Sequence, residues 1–275
     1  MGNIQRREFD TTESPADKNP DWMSSLPDER LLSDLSIPGT HRSMSLFGGN
    51  TLQCQSWNLK AQYEAGIRFV DIRCRHYYDK LAIHHGEKFL YCHFTQVLYD
   101  TISFLREHPK EVVLMHVKEE YEASNNTSTF SDLVSNHMEK VEKSWFWESS
   151  AIPTLGQVRR KIVILQDFND SVMGIPYSSL AAVEELHVPS LDDIDWKWST
   201  IEESLKAAEN GNSDKMYLTY CSGASKDILP CSVAEKINYD LLIFLEDKGD
   251  KKSRFGIIAL DFPGCVLLHK IITSN

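Results

Sequence analysis

The sequence predicts a single-domain β/α barrel, and three observations lead to this prediction. Eight short runs rich in β-branched and aromatic residues follow one another along the chain. Most of these runs are apolar throughout, which is typical of strands buried on both faces of a parallel sheet. Amphipathic segments typical of helices lie between them. The length of 275 residues and the hydrophobic content of 41% suit one large domain with a sizeable core.

The predicted elements alternate along the chain. Strands are expected at Leu32–Pro38, Ile67–Ile72, Leu81–His84, Glu111–Val117, Lys161–Leu165, His187–Leu191, Met216–Tyr220 and Phe255–Leu260. Helices are expected at Phe94–Glu107, Phe130–Trp145, Ser199–Asn210 and Ser232–Asp247. In the last of these, Ser232 is the expected N-cap. Eight strands alternating with helices favour a β/α barrel over a doubly wound sheet, because no glycine-rich phosphate loop follows the first strand.

Charge and the terminal segment restrict the partners of this protein. The net charge of −11 argues against nucleic acid, which is bound through a broad basic surface. No run approaches 18 consecutive apolar residues, so no transmembrane helix is predicted.

Residues 1–21 are polar and predict a flexible N-terminal tail before a barrel domain over residues 22–275. The six cysteines are widely spaced and no export signal is found, so we expect free thiols and a cytoplasmic protein.

Charged side chains follow several of the predicted strands. They are His41, Arg73, His85, Lys118 and Asp261. Because the carboxyl ends of barrel strands meet at one face, these five residues are expected to converge. Histidine is the side chain whose unperturbed pKa suits a general base near neutral pH. If the first and last strands are neighbours, as barrel closure requires, Asp261 can orient the ring of His41.

The run around Asp71 points to anion binding. Asp71, Arg73 and Arg75 alternate along one strand and therefore share a side. A guanidinium in this position suits the oxygens of a phosphoryl group, and a structural Asp71–Arg73 ion pair is the alternative. A metal-dependent enzyme would need a second carboxylate where Arg73 stands.

The pair His84-His85 supplies a second imidazole. Neighbouring residues on a strand point to opposite faces, so only one of the two rings can face the site. Gly86 allows a close approach of the backbone and favours His85. A zinc site is the other use of paired histidines, but no third ligand stands at a suitable spacing.

Together these segments resemble the X-domain group of phosphatidylinositol-specific phospholipases C, in particular its metal-independent single-domain members. The matching stretches are SIPGTH, GIRFVDIRCR, LAIHHGE, FLREHPKEVVLMHVKEEYE, GQVRRKIVILQDF and FGIIALDF. The resemblance extends from about residue 22 to the end of the sequence. It implies an irregular, incompletely closed barrel that needs no cofactor and acts on a phosphatidylinositol-type phospholipid at a membrane surface.

The resemblance also implies roles for individual residues. His41, with Asp261 as its partner, would take the proton of the inositol 2-hydroxyl, and His85 would protonate the leaving glycerol oxygen. Arg73, fixed by Asp71, would stabilise charge on the phosphoryl oxygens. The products would be diacylglycerol and a cyclic inositol phosphate. Residues expected to contact the substrate are Lys118, Arg42, Arg75 and Asp192.

Two positions depart from the pattern of this family. Arg42 stands where the metal-independent members usually carry aspartate, and Asp167 stands where they place an arginine that contacts the inositol ring. No metal is expected, because Arg42, Arg73 and Lys118 occupy positions where calcium-using relatives have acidic or amide ligands.

Two other functions remain open at this point. His41-Arg42 also resembles the opening pair of glycerophosphodiester phosphodiesterases, which hold a metal between two carboxylates. The second alternative is a catalytically weak protein that binds lipid or phosphate. Aromatic residues that are candidates either for shallow membrane insertion or for core packing are Phe47, Trp57, Tyr77, Tyr78, Trp196 and Trp198.

Overall fold

A computed structural model describes residues 2–169, 172–184 and 187–275 of the chain. The strands are β1 Ser36–Thr40, β2 Phe69–Tyr77, β3 Lys80–His85, β4 Lys88–His93, β5 Val113–Glu119, β6 Ile162–Asp167, β7 Ile175–Pro176, β8 Ala181–Val183, β9 Tyr217–Tyr220 and β10 Gly256–Leu260. The α-helices are α1 Leu59–Ala65, α2 Phe94–Glu107, α3 Phe130–Lys140, α4 Leu155–Val158, α5 Ile194–Asn210, α6 Pro230–Asp247 and α7 Cys265–Thr273.

Eight of the strands form one curled parallel sheet. Their order is β7-β6-β5-β2-β1-β10-β9-β8, and every neighbouring pair in it is parallel. The first and last long strands, β1 and β10, are paired in register from Ser36 opposite Gly256 to Thr40 opposite Leu260. Within the described ranges, no pairing joins β7 to β8. The predicted irregular β/α barrel is therefore confirmed, and the sheet is open at this one seam.

The third predicted strand has a different place from the expected one. Leu81–His84 lies within β3, which runs antiparallel to β2 and pairs in turn with β4. These two strands form an antiparallel arm that extends from β2, and they are not part of the eight-stranded parallel order. The prediction that His85 ends a parallel barrel strand is therefore wrong. The turn at Tyr78 and Asp79, both at a φ of 51°, reverses the chain before a crossover helix can form.

Other element boundaries also differ from the predictions. The short strands β7 and β8 complete the set of eight. His187, from the predicted strand His187–Leu191, forms an isolated bridge to Ala224 and belongs to none of the strands in the described part of the chain. Helix α6 begins at Pro230, not Ser232, because proline suits the first helical position, where its missing N–H has no intrahelical partner to lose. No helix among the described residues is long and apolar enough to cross a bilayer.

The side chains of the parallel strands alternate between two apolar clusters. One face packs against the helices and includes Val70 and Ile258. The opposite face fills the interior of the curled sheet with Phe69, Leu114 and Ile257, among others. Because successive residues of a strand point to opposite faces, each strand sends every second side chain into this interior.

The N-terminal segment packs against the barrel, in contrast to the expected flexible tail. Phe9 is 2% exposed and lies in a small cluster with Ala234 and Phe262, whose ring centroid is 5.9 Å from its own. The backbone N–H of Gly264 donates to the carbonyl oxygen of Glu8 at 2.9 Å. Burial of one phenylalanine side chain stabilises the fold by about 1.5–3 kcal/mol and offsets part of the entropy lost when this segment is ordered.

Candidate active site

At the carboxyl ends of the strands, the side chains that face the interior of the barrel are polar. Each polar residue stands two positions after an inward-facing residue of the same strand and therefore points to the same side: His41 after Gly39, Asp71 after Phe69, His116 after Leu114, Asp167 after Leu165 and Asp261 after Ala259. The apolar interior therefore ends in a polar layer. This layer lies at the face of the sheet where β/α barrels carry their chemistry.

His41 and Asp261 form a buried hydrogen-bonded pair. The two residues are 220 positions apart in the chain, and Nδ1 of His41 lies 2.9 Å from Oδ1 of Asp261. The His41 backbone N–H donates to the carbonyl oxygen of Leu260, which continues the pairing of β1 with β10 by one residue. Gln55 spans the same junction by donating to the carbonyl oxygens of His41 and Leu260 at 2.7 and 2.9 Å. The expected pairing is present, and it follows directly from the neighbouring strands.

The surroundings of His41 keep its ring neutral. Burial and the positive charge of Arg73 hold the pKa of His41 well below its usual value. Burial also raises the pKa of the Asp261 carboxyl, which makes its carboxylate a strong acceptor for the Nδ1 proton. The other ring nitrogen, Nε2, is buried and has no hydrogen-bond partner among the described residues. The ring is therefore arranged to accept a proton at Nε2.

Asp71 binds three neighbours at once. Its carboxylate accepts from Nε of Arg73 at 3.1 Å, from Nδ1 of His116 at 2.9 Å and from the backbone N–H of Arg42 at 3.0 Å. Burial alone would raise the pKa of Asp71, but Arg73 and His116 hold it well below its usual range. Arg73 also pairs with Glu184 at 2.8 Å. Asp71 thus fixes the Arg73 guanidinium, and its own oxygens are already occupied.

His116 joins Asp71 to a second carboxylate. Its Nδ1 contacts Asp71, and its Nε2 lies 3.2 Å from Oδ2 of Asp167. Although burial alone would lower the pKa of His116, the hydrogen bonds to Asp167 and Asp71 raise it. Lys118 reaches the same oxygen of Asp167 at 3.2 Å. Lys118 and Asp167 line a cavity of about 550 Å³ beside this network.

Arg42, the residue that departs from the family pattern, has its charge balanced by Glu120. Its guanidinium donates to Oε1 of Glu120 at 2.8 Å, and the same oxygen accepts the backbone N–H of Gly86 at 2.7 Å. Arg42 adopts a φ of 41°, and its backbone N–H is held by Asp71. Glu120 therefore ties the loop after β1 to the turn that carries His85.

His85 faces His41 across a cavity of about 190 Å³. The lining of this cavity includes His41, Arg42, Cys54, His85 and Asp261. Nδ1 of His85 donates to the carbonyl oxygen of Leu52 at 2.9 Å. Burial and the charge of Arg42 lower the pKa of His85 to about 4, so the ring is neutral at neutral pH before a ligand binds.

Two predicted substrate contacts lie elsewhere. Arg75 donates to the carbonyl oxygen of Glu122 at 3.0 Å, and its guanidinium lies over the rings of Tyr77 and Tyr121. The prediction for Arg75 is therefore corrected. Arg75 lies on the part of β2 that pairs with the antiparallel arm, away from the cluster. Asp192 is exposed in a short 3-10 helix before α5, and no contact described for it reaches the cluster.

The structure adds residues that the sequence reasoning did not select. They are His116, Glu120, Glu184 and Gln55. The alternation of inward-facing positions could have revealed His116, which stands two residues before Lys118 on the same strand face. Glu184 and Gln55 lie outside the long strands, so no periodicity marks them.

Comparison with known proteins identifies the family of this chain. Residues 31–167 match the X domain of phosphatidylinositol-specific phospholipase C. A relative from Listeria monocytogenes named 1-phosphatidylinositol phosphodiesterase is 32% identical over 92% of this chain and 84% of its own length. The chain belongs to the phosphatidylinositol-specific phospholipase C family. A Staphylococcus aureus relative of the same name is 26% identical over 94% of this chain and 95% of its own length.

Solved structures of this phospholipase C family share the fold. The phosphatidylinositol-specific phospholipase C of L. monocytogenes superposes with a TM-score of 0.81 at 30% identity, covering 94% of this chain and 99% of that one. A structure of the S. aureus phosphatidylinositol-specific phospholipase C gives a TM-score of 0.82 at 24% identity, covering 94% and 98% of the two chains. The second comparison supports the fold alone.

Because His116 bridges two carboxylates, its contribution to the stability of the fold should depend on pH. Because the folded state raises its pKa, the contribution is fully present below about pH 6.5, the unperturbed value, and is lost as pH rises through the raised value. We expect His116→Gln to lower the free energy of unfolding by about 1–3 kcal/mol at about pH 6. The difference from the parent should shrink towards about pH 9 in urea denaturation.

The control for this experiment is His269→Gln, because His269 is exposed on α7. This variant should differ little from the parent at either pH. A destabilisation by His116→Gln that grows as pH rises would contradict the assignment of a charged, bridging His116.

Proposed function

We propose that the protein cleaves phosphatidylinositol by the metal-independent phospholipase C reaction, releasing diacylglycerol and a cyclic inositol phosphate. The observation that carries this proposal is the placement of His41 and His85 on one cavity, with Asp261 behind the first ring. The names of the relatives, 1-phosphatidylinositol phosphodiesterase, supply the substrate class.

His41 acts as the general base of the first step. Nε2, which has no partner among the described residues, takes the proton of the inositol 2-hydroxyl as that oxygen attacks phosphorus. The ring then becomes an imidazolium, and the hydrogen bond from Nδ1 to Asp261 stabilises this positive charge. The low pKa of the free ring ensures that the base is unprotonated at neutral pH.

His85 acts as the general acid. As the bond between phosphorus and the glycerol oxygen breaks, His85 gives a proton to that oxygen, and diacylglycerol leaves. The free ring has a pKa of about 4 and is neutral, so it has to gain this proton when the substrate binds. The negative charge of the phosphodiester favours the protonated ring and raises its pKa in the complex. Substrate binding is therefore coupled to the uptake of a proton.

Arg73 stabilises the negative charge that develops on the phosphoryl oxygens. Its positive charge lowers the pKa of both His41 and His85. Asp71 and Glu184 hold the guanidinium in a fixed orientation, so little reorganisation is needed during the reaction. Arg42 and Lys118 are two further cations beside the cluster, and each is paired with one carboxylate.

The contacts of Asp71 argue against a glycerophosphodiester phosphodiesterase that uses a metal. A divalent ion there would need carboxylate oxygens open for coordination. Both oxygens of Asp71 accept hydrogen bonds instead, and Arg73 supplies the positive charge. The second alternative, a catalytically weak binding protein, is disfavoured by the Asp261–His41 pair, because simple phosphate binding needs no orienting carboxylate.

A membrane surface is the proposed location of the substrate, and exposed aromatic residues lie on and against the arm that carries His85. Phe47 is 50% and Tyr91 is 68% exposed, and their ring centroids are 5.8 Å apart. Tyr91 belongs to β4 in the arm that carries His85. Trp57, by contrast, is 2% exposed and is a core residue. The six cysteines are free thiols, which supports the proposed cytoplasmic location.

Removal of either imidazole tests the acid–base assignment. We expect His41→Ala and His85→Ala each to reduce diacylglycerol release from phosphatidylinositol vesicles by about 10²–10⁴-fold. Near-ultraviolet circular dichroism should show that both variants remain folded. His269→Ala, at an exposed histidine far along the chain, is the matched control and should keep the parent activity. Parent-like activity of both variants, or an inert parent, would refute the enzymatic proposal.

Chelation tests the metal-independence of the reaction. We expect diacylglycerol release to persist after dialysis against EDTA and not to increase with added Ca²⁺, because Arg73 provides the charge that a metal would supply. The measurement is the initial rate on phosphatidylinositol vesicles before and after treatment. Activity that disappears on chelation and returns with Ca²⁺ or Mg²⁺ would support a metal-dependent phosphodiesterase instead.

A further inference from the structure

We propose that His41, Cys54 and Asp261 form an inhibitory binding site for a thiophilic divalent metal ion such as Zn²⁺ or Cd²⁺. One potential ligand atom from each residue lies within 4.8 Å of those of the other two. The three side chains are buried, with exposures of 5%, 1% and 1%. The proposed reaction uses His41 and Asp261 but has no role for Cys54.

The three side chains offer the donors that Zn²⁺ prefers. Zinc is held by cysteine thiolate, histidine nitrogen and carboxylate oxygen, usually four ligands in a tetrahedron. Nε2 of His41 and Oδ2 of Asp261 have no hydrogen-bond partner among the described residues, so each retains a lone pair. The cavity of about 190 Å³ that these residues line leaves room for water or a phosphoryl oxygen as the fourth ligand.

The spacing needs only a small adjustment to hold an ion. Ligand atoms at about 2.0–2.3 Å from a tetrahedral zinc are about 3.5 Å from one another. The atoms of this site would have to move closer by about an ångström, which is within the range of side-chain rotation. The site is therefore nearly formed before the ion arrives.

A bound ion would abolish the base whichever nitrogen of His41 it takes. Binding at Nε2 occupies the lone pair that accepts the inositol proton. Binding at Nδ1 requires the single proton of the neutral ring to move from Nδ1 to Nε2, so that Nε2 no longer has a free lone pair. In both cases His41 can no longer deprotonate the substrate, so the ion inhibits the reaction rather than supporting it.

A metal binds cysteine as the thiolate, so binding at Cys54 releases the thiol proton to the solvent.

The experiment combines an activity assay with a spectroscopic titration. Diacylglycerol release from phosphatidylinositol vesicles is measured against Zn²⁺ concentration for the parent, Cys54→Ala and Cys54→Ser, each relative to its own rate without metal. Cd²⁺ binding is followed separately by the thiolate-to-metal charge-transfer absorption in the ultraviolet. Cys92→Ala is the matched control, because Cys92 is a half-buried thiol on β4.

We expect Zn²⁺ to inhibit the parent and Cys92→Ala at similar concentrations. Both Cys54 variants should need at least about tenfold more Zn²⁺ for half inhibition, since even outer-shell changes cost 10–100-fold in metal affinity. The charge-transfer absorption should form in the parent with one equivalent of Cd²⁺ and be absent in Cys54→Ala. If Cys54→Ala does not fold, the nearly isosteric Cys54→Ser carries the test.

Equal Zn²⁺ sensitivity of the parent and the Cys54 variants would overturn the proposal, as would a parent without the charge-transfer absorption. The activity arm rests on the proposed phospholipase reaction, whereas the Cd²⁺ absorption requires no catalysis. An inert parent that still shows the Cys54-dependent absorption would refute the proposed function and leave the metal site supported.

Discussion

The pairing of β1 with β10 is the contact on which the site depends. It brings the two ends of a long barrel domain side by side, with Thr40 opposite Leu260, so that the next residue of each strand is a member of the His41–Asp261 pair. Gln55 fixes the junction by donating to both backbones. The barrel can remain open at the seam between β7 and β8 because no member of the pair lies there.

Charge balance is the second constraint on this acidic protein. The positive groups of the cluster, Arg42, Arg73 and Lys118, each contact at least one carboxylate. Buried charge is costly unless it is paired and hydrogen-bonded, so these pairs keep the cations in place when no phosphate is bound. The same pairs explain how arginine can follow His41: Glu120 neutralises its guanidinium and ties it to the turn of His85.

The sequence predicted much of the barrel, because its strands and helices depend on strong local signals, and it also predicted the contact between His41 and Asp261. Helix α2 was predicted with its observed bounds, and β10 to within one residue. The antiparallel arm was missed because the apolar run of β3 has the same local pattern as a barrel strand. Arg75 was misplaced because the part of β2 that carries it pairs with this arm. The packing of Phe9 could not be predicted, because it depends on residues far along the chain.

The central claim is that His41 activates the inositol 2-hydroxyl for attack within the substrate. Phosphorus NMR during cleavage of phosphatidylinositol in H₂¹⁸O tests it most directly. The account predicts that a cyclic phosphodiester without ¹⁸O appears first, and that any inositol monophosphate forms from it later. An inositol monophosphate that carries ¹⁸O from the first turnover, with no cyclic product before it, would show that water is the nucleophile and would contradict the account.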